Sequence, residues 1–370
     1  MKLKHWMLGT SALIGAGALT LGTALPAGAA EVLPGGYPDL TITGFARFRA
    51  HGGQLDDARQ DNTFSRNLDF SNDTEVHVLA RAKDEQTGME YGGTIEFEAD
   101  TNRTDNTDET WLFLRGGWGE VRLGDEDGVA DNSNVGANTI AAGTGGIDGS
   151  VVDTIAVPMV FLTNSNDATK IRYYTPSFGG FSFGVSYTPQ QETVDSGADN
   201  GDELATKDVE AENVVDAGIV YDGEFGGTGV LASLVAITGD LKDEDSDFGD
   251  GSWHGWQAGA NVDLFGFKLG GSYADEKVGD ADRNWFTLGI GAALGPVNTS
   301  VTYSQMLDTS DNYPAGGSAS NLVFSADVPI APGLVLAGDV GVFDNDARPD
   351  NGYVGGDEGW QAVGRLGLAF

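Results

Sequence analysis

The sequence predicts an all-β chain closed into a 16-stranded antiparallel transmembrane β-barrel, with one long acidic loop folded inside it. Three observations predict this. Segments of period-two alternation recur along the chain, the links between them alternate short and long in a constant phase, and the apolar phase of the clearest segments carries no charge.

Residues 1–30 stand apart from the fold. Lys2 and Lys4 make a basic start, Leu8 to Leu25 is a mildly apolar run, and Ala27-Gly28-Ala29 and Gly28-Ala29-Ala30 are small-residue cleavage motifs. This pattern is that of a secretory signal peptide. Residues 31–370 then form one domain. The chain has 370 residues and a formal net charge of -36. Such acidity opposes nucleic-acid binding, which draws its affinity from Lys and Arg on phosphates. The absence of Cys excludes disulfides and thiolate metal sites. No later stretch approaches the ~20 apolar residues of a spanning helix, but hydropathy misses barrels, whose signal per strand is weak.

From Leu40 the alternation is direct. Leu40, Ile42, Gly44, Ala46 and Phe48 share one face, and Thr41, Thr43, Phe45, Arg47 and Arg49 the other. Val76, Val78, Ala80 and Ala82 then oppose Glu75, His77, Leu79, Arg81 and Lys83. Tyr91, Ile95 and Phe97 oppose Glu90, Thr94, Glu96 and Glu98. Such segments are strands with one apolar and one polar face. A soluble sandwich packs its apolar faces together, whereas an outer-membrane barrel turns them to lipid and lines a lumen with the polar ones. Alternation alone does not separate the two.

The links do. Sixteen strands are predicted at 40–50, 67–84, 89–100, 109–117, 119–124, 169–175, 180–188, 213–223, 228–238, 252–264, 266–276, 284–294, 296–306, 320–328, 334–344 and 360–370. Links after even-numbered strands are short. Those after odd-numbered ones are mostly long and acidic, as at 189–212, 239–251, 307–319 and 345–359. A membrane barrel keeps that phase because its turns are short on the periplasmic side and its loops long outside. The apolar phase agrees. Phe181, Phe183, Val185 and Tyr187 form one uncharged row, and Val215, Ala217, Ile219 and Tyr221 another. Trp256, Ala258, Ala260, Val262 and Leu264 form a third, and the last strand sets Trp360, Leu366, Leu368 and Phe370 outward with Gln361 and Arg365 inward. A Lys or Arg facing mid-bilayer lipid costs about 2–4 kcal/mol. Strand nine, Leu231 to Ile237, is apolar on both faces and leaves its register open.

The longest segment without strand alternation is 125–168. Long structureless loops in compact folds are usually functional or disordered. It has no Lys or Arg, and its acids Asp125, Glu126, Asp127, Asp131, Asp148 and Asp153 are expected to form the negative side of a pore constriction. Its apolar run from Val157 to Leu162 would pack against something, and the segment has room for a short helix.

Several runs resemble the Gram-negative general porin superfamily. Gly44-Phe45-Ala46-Arg47-Phe48 is similar to its first strand, and Ser65-Arg66 with Leu68 and Phe70 to the start of its second. Gly116-Gly117-Trp118-Gly119-Glu120-Val121-Arg122-Leu123-Gly124 resembles the hairpin leading into its constriction loop, and 170–181 the hairpin after it. The terminal Phe370 resembles the family's assembly signal. The likeness covers the whole mature chain. It implies a homotrimer of 16-stranded barrels in the Gram-negative outer membrane, among lipid and lipopolysaccharide, inserted by the barrel assembly machinery. It also implies that the third extracellular loop folds inward against a basic wall that would include Arg47, Arg66 and Arg172. The inward phase adds Arg49 and Arg81. The chain departs from the family at Asp125, where members often continue with Arg, which points toward cation preference.

Asp243, Asp245, Asp247 and Asp250 read either as a low-affinity calcium site in an outer loop or as a plain acidic loop. An EF-hand loop needs Gly at its sixth position and Glu at its twelfth, and Phe248 and His254 stand there. No other cofactor is expected. Beyond residue 30 the histidines are His51, His77 and His254. His77, on the inward phase, suits a lumen hydrogen bond better than a hydrolase triad, and no phosphate loop is present. The chain reads as a non-enzyme: a porin passing small hydrophilic solutes and ions. The alternatives are a substrate-specific channel, a plugged structural or adhesive barrel, and a secreted β-sandwich.

Overall fold

The computed structural model describes residues 38–55, 68–99, 107–145, 147, 160–165, 168–191, 211–242, 251–279, 281–307, 318–345 and 357–370. Its strands are β1 (Asp39–Leu55), β2 (Asp69–Lys83), β3 (Glu90–Glu98), β4 (Thr110–Gly116), β5 (Gly119–Asp125), β6 (Thr169–Tyr174), β7 (Phe181–Gln191) and β8 (Ala211–Phe225). They continue as β9 (Thr228–Leu241), β10 (Gly251–Leu264), β11 (Phe267–Val278), β12 (Ala281–Leu294), β13 (Val297–Leu307), β14 (Ala319–Ala331), β15 (Leu334–Asn345) and β16 (Asp357–Ala369). Each pairs antiparallel with its neighbours in sequence, and β1 pairs with β16, so the sheet is a closed barrel. All sixteen predicted strands are present. The largest departure is β1, which runs on past residue 50 to Leu55, opposite Gly359. Backbone pairing sustains a ladder there after the apolar alternation has stopped.

The outer face is the apolar phase. Ile42, Phe70 and Leu112 are each about three-fifths exposed, at 60%, 60% and 62%, and comparable residues recur on every strand-pair around the barrel. An exposed apolar surface this continuous marks contact with an apolar medium. Among the described residues no helix is long and apolar enough to cross a membrane, which says nothing of strands. Trp118, Phe178, Phe225 and Phe265 are exposed at the short-turn end, where an interfacial aromatic belt lies in membrane proteins. The Phe265-Gly266 turn has positive φ at both residues, 53° and 86°. Such hairpin turns favour Asn or Gly at the first position, so the bulky ring is kept there against a local backbone preference.

The wall is uneven. Strands β3 to β6 have 9, 7, 7 and 6 residues, against 11 to 17 elsewhere. The long segment leaves and re-enters the sheet on this low side, from Asp125 to Thr169. It contains a helical turn, α1 (Val129–Asn132), and a 3-10 turn at Asn138–Ile140.

Candidate functional site

The described part of this segment forms a two-legged strap along the polar, inner face of the barrel. The outgoing leg meets the strands in order. The N–H of Val129 donates to Ser186 Oγ on β7 at 3.2 Å, and that of Ala130 to Asp216 Oδ1 on β8 at 2.7 Å. Next the N–H of Ala137 reaches Thr287 Oγ1 on β12 at 3.1 Å, and that of Ala142 Ser300 Oγ on β13 at 2.8 Å. At the tip the N–H groups of Gly143 and Thr144 donate to Asp327 on β14 and Asp339 on β15 at 3.1 and 2.9 Å. Arg365 of β16 donates to the Gly143 carbonyl at 3.0 Å. The returning leg runs the other way: Asn321 of β14 meets the Ile147 carbonyl, Gln257 of β10 the Val160 carbonyl, and Ser165 donates to Asp216.

Two residues hold both legs. Gln257 Nε2 donates to Asn134 Oδ1 at 2.9 Å and to the Val160 carbonyl at 3.0 Å. Asp216 accepts from Ala130 and from Ser165. The backbone of an irregular segment must find partners once buried, and this wall supplies them as short hydroxyl, amide and carboxylate side chains.

The wall also makes room. A Cβ at Gly218 would lie 2.8 Å from Ser133 Cβ, and one at Gly259 only 1.7 Å from the Val135 carbonyl oxygen. Above these contacts Ala130 and Leu162 of the strap join Val214, Val235, Ile237, Trp253, Val278 and Trp285 in a buried apolar cluster. The cluster explains β9. Leu234 faces out, 48% exposed, while Val235 and Ile237 turn inward beneath the strap, so both faces are apolar for different reasons.

Strands β1 to β6 and the edge of β16 carry charge instead. Asp73 pairs with Arg47 at 3.1 Å and with Arg49. Glu126, at the root of the strap, is 1% exposed and lies 3.2 Å from Arg122 Nη1 and 2.5 Å from Arg172 Nη2. Lys170 Nζ donates to the carbonyls of Glu126 and Ala168. The arginines lie on aromatic faces, Arg47 at 3.7 Å from the Phe45 centroid and Arg122 at 4.1 Å from that of Trp111, contacts that add attraction and fix the guanidinium planes. Burial pushes the Glu126 carboxyl up despite its three cationic neighbours. Desolvation, then Asp127 and Glu126, push Glu109 up to about 8. Asp131 still meets solvent at its edge, yet desolvation and then Asp127 hold its carboxyl well above the ordinary range.

Of the predicted acids, Asp125 ends β5, Glu126 is clasped by arginines, the Asp127 N–H donates to Glu109 and the Asp127 carbonyl accepts from Arg172, and Asp131 accepts from Asn164. Of the predicted bases, Arg47, Arg49 and Arg172 lie on the inner face. Arg81 does not join them: it is 56% exposed and pairs with Glu90 near the short-turn end. It lies eight residues along β2 from Asp73, about 26 Å at the usual strand rise, since sharing a face does not mean sharing a height. Asp148, Asp153, Arg66, the Asp243, Asp245, Asp247 and Asp250 set and residues 1–30 lie outside the described residues. Phe370 exchanges both backbone hydrogen bonds with Gly44 at 3.0 Å and so joins the closing seam. The strap-holding residues Asp216, Gln257, Thr287, Ser300, Asp327 and Asp339, and Arg122 among the charges, were not singled out by the sequence.

A family model described as Gram-negative porin matches residues 12–348. No curated protein matches the chain by sequence. Among solved structures, the anion-selective porin from Comamonas acidovorans is similar at 19% identity, covering 90% of this chain and 99% of that one, with a TM-score of 0.60. The outer membrane channel DcaP of Acinetobacter baumannii is 12% identical over 90% and 97% of the two chains, with a TM-score of 0.58. OprB of Pseudomonas putida is 10% identical over 90% and 94%, at 0.60.

Proposed function

The chain belongs to the Gram-negative porin family, and from that premise we propose that it is an outer-membrane diffusion channel for small hydrophilic solutes and ions, with a preference for cations. The strap at 125–168 is its constriction. Solutes pass between the strap and the charged arc of β1 to β6, and three copies assemble as a homotrimer. The observation that carries the cation preference is the balance of buried charge on the inner wall. Among the described buried residues of that arc and of the strap's root, four are acids (Glu75, Glu96, Asp125 and Glu126) and three are bases (Arg122, Lys170 and Arg172), and the segment 125–168 carries seven acids and no Lys or Arg. Charged rings and linings set the sign of pore selectivity. A similar fold serves a porin described as anion-selective, so the sign is read from residues and not from the barrel.

The test is planar-bilayer recording of the detergent-folded protein with reversal potentials in a salt gradient. Stepwise openings in threes with a cation-selective reversal potential are expected. An anion-selective potential would overturn the charge reading, and a folded barrel that never opens would overturn the channel.

A further inference from the structure

We propose that Glu75, His77 and Glu96 form a binding site for one divalent first-row transition cation on the inner wall at β2 and β3. His77 and Glu96 are directly opposite in the β2–β3 register, and Glu75 is two residues before His77 on the same face. One nitrogen of the imidazole and one oxygen from each carboxylate lie within 4.8 Å of one another. Around one ion at ligand distances of about 2.0–2.2 Å, tetrahedral geometry would set them about 3.4 Å apart.

Three features point to a cation. All three side chains are buried, at 6%, 5% and 3% exposure. His77 Nε2 is 2.9 Å from Glu75 Oε1 and Nδ1 is 3.6 Å from Glu96 Oε2, yet Glu75 Oε1, His77 Nε2 and Glu96 Oε1 make no hydrogen bond of good geometry. Lone pairs this close but not aligned donor to acceptor suit a shared ion between them. The charges that bear on Glu96 are those of acids. Backbone hydrogen bonds hold Glu109 and Asp108 beside Glu96, while Arg47, which attracts Glu75 through space, is shared with Asp73. Buried carboxylates without a counter-charge are costly, and a doubly charged ion offsets two of them.

The donor set selects the ion. One imidazole with two carboxylates suits zinc, manganese or ferrous iron. Calcium, which takes six to eight oxygens, does not fit. The Phe45 ring meets His77 edge-on, with centroids 6.3 Å apart, and so orients the imidazole. Occupancy adds positive charge beside the passage and lowers cation flux.

Zn2+ is the probe. Calorimetric titration of the detergent-folded protein is expected to show one tight site per chain, and micromolar Zn2+ to reduce conductance. His77→Gln and Glu96→Gln are expected to weaken binding about 10–100-fold, the scale on which metal sites respond to lost partners, with unchanged heat-modifiable migration on gels. Unchanged affinity in both variants would overturn the site. Zinc-edge absorption spectra of the unaltered protein do not depend on how the variants fold: one imidazole nitrogen in the shell supports the proposal, and an all-oxygen shell overturns it in favour of the acidic loops.

Discussion

The inner wall has two arcs that satisfy their polar groups differently. From β7 round to β16 the wall meets the strap, and it does so with Ser186, Asp216, Gln257, Thr287 and Ser300, each accepting from or donating to a fixed backbone group. From β1 to β6 none of the described residues lies over the wall in this way, and the side chains are long charged ones in ion pairs, such as Arg47 with Asp73 and Arg172 with Glu126. A backbone laid against a wall asks for short neutral or singly charged partners at set heights. A wall facing water and ions tolerates charge and uses it. One arc therefore fixes the strap, and the other, on the proposed function, gives the passage its electrostatic character.

The largest expected break in this contrast is at the strap's root, where the two arcs meet. Glu126→Leu would leave Arg122, Arg172 and Lys170 buried without the carboxylate between them. Removing one partner of a buried charge set costs about 3–5 kcal/mol. The heat-induced unfolding temperature on gels should fall, and single-channel records should become irregular.

A smaller effect is expected from Gly259→Val, whose Cβ would meet the Val135 carbonyl at 1.7 Å. Overpacking costs about 1–3 kcal/mol, and displacement of the strap should change unit conductance. Gly364→Ala, where a Cβ meets nothing within 4 Å, should leave conductance alone. Gln257→Ala removes the amide that ties both legs and orphans buried groups, at about 1–3 kcal/mol. Open-channel noise should rise with the barrel still folded.

The smallest effect sharpens the charged arc. Glu109 holds its proton more tightly in the folded chain than at its ordinary value of 4.5, up to about 8. Its contribution to stability is thus complete below about pH 4.5 and lost as pH rises through about 8. Its charge appears over the same upper range, so the proposed cation preference should increase modestly between pH 7 and 9. Glu109→Gln should flatten that rise in reversal-potential measurements.

Much of this was legible in the sequence because barrel strands announce their faces every second residue. The family resemblance points to Arg47 and Arg172, and the inward phase adds Arg49 and Arg81. Height along a strand is not written in the alternation, which is why Arg81 was grouped with them. The strap's partners were missed for another reason: Asp216, Gln257 and Thr287 look like ordinary lumen polarity. A signal was nevertheless there. Each is followed two residues later by a glycine on the same face, at Gly218, Gly259 and Gly289, and those glycines lie against Ser133, Val135 and Ala137 of the strap. A polar residue and a glycine repeated on the inward phase of neighbouring strands mark where another piece of chain lies close and bonds.

The seam between Gly44 and Phe370 carries a consequence for how the chain reaches this state. Fifteen of the sixteen strand pairings join neighbours in sequence, and only β1 with β16 joins the two ends. Local hairpins form early because little chain entropy is lost in closing them, whereas the final pairing must bring distant residues together. Until then β1 and β16 are open edges, competent to pair with another molecule. The Gly44–Phe370 seam therefore acts in time as well as in space: its formation ends the period in which the protein is a sheet seeking a partner.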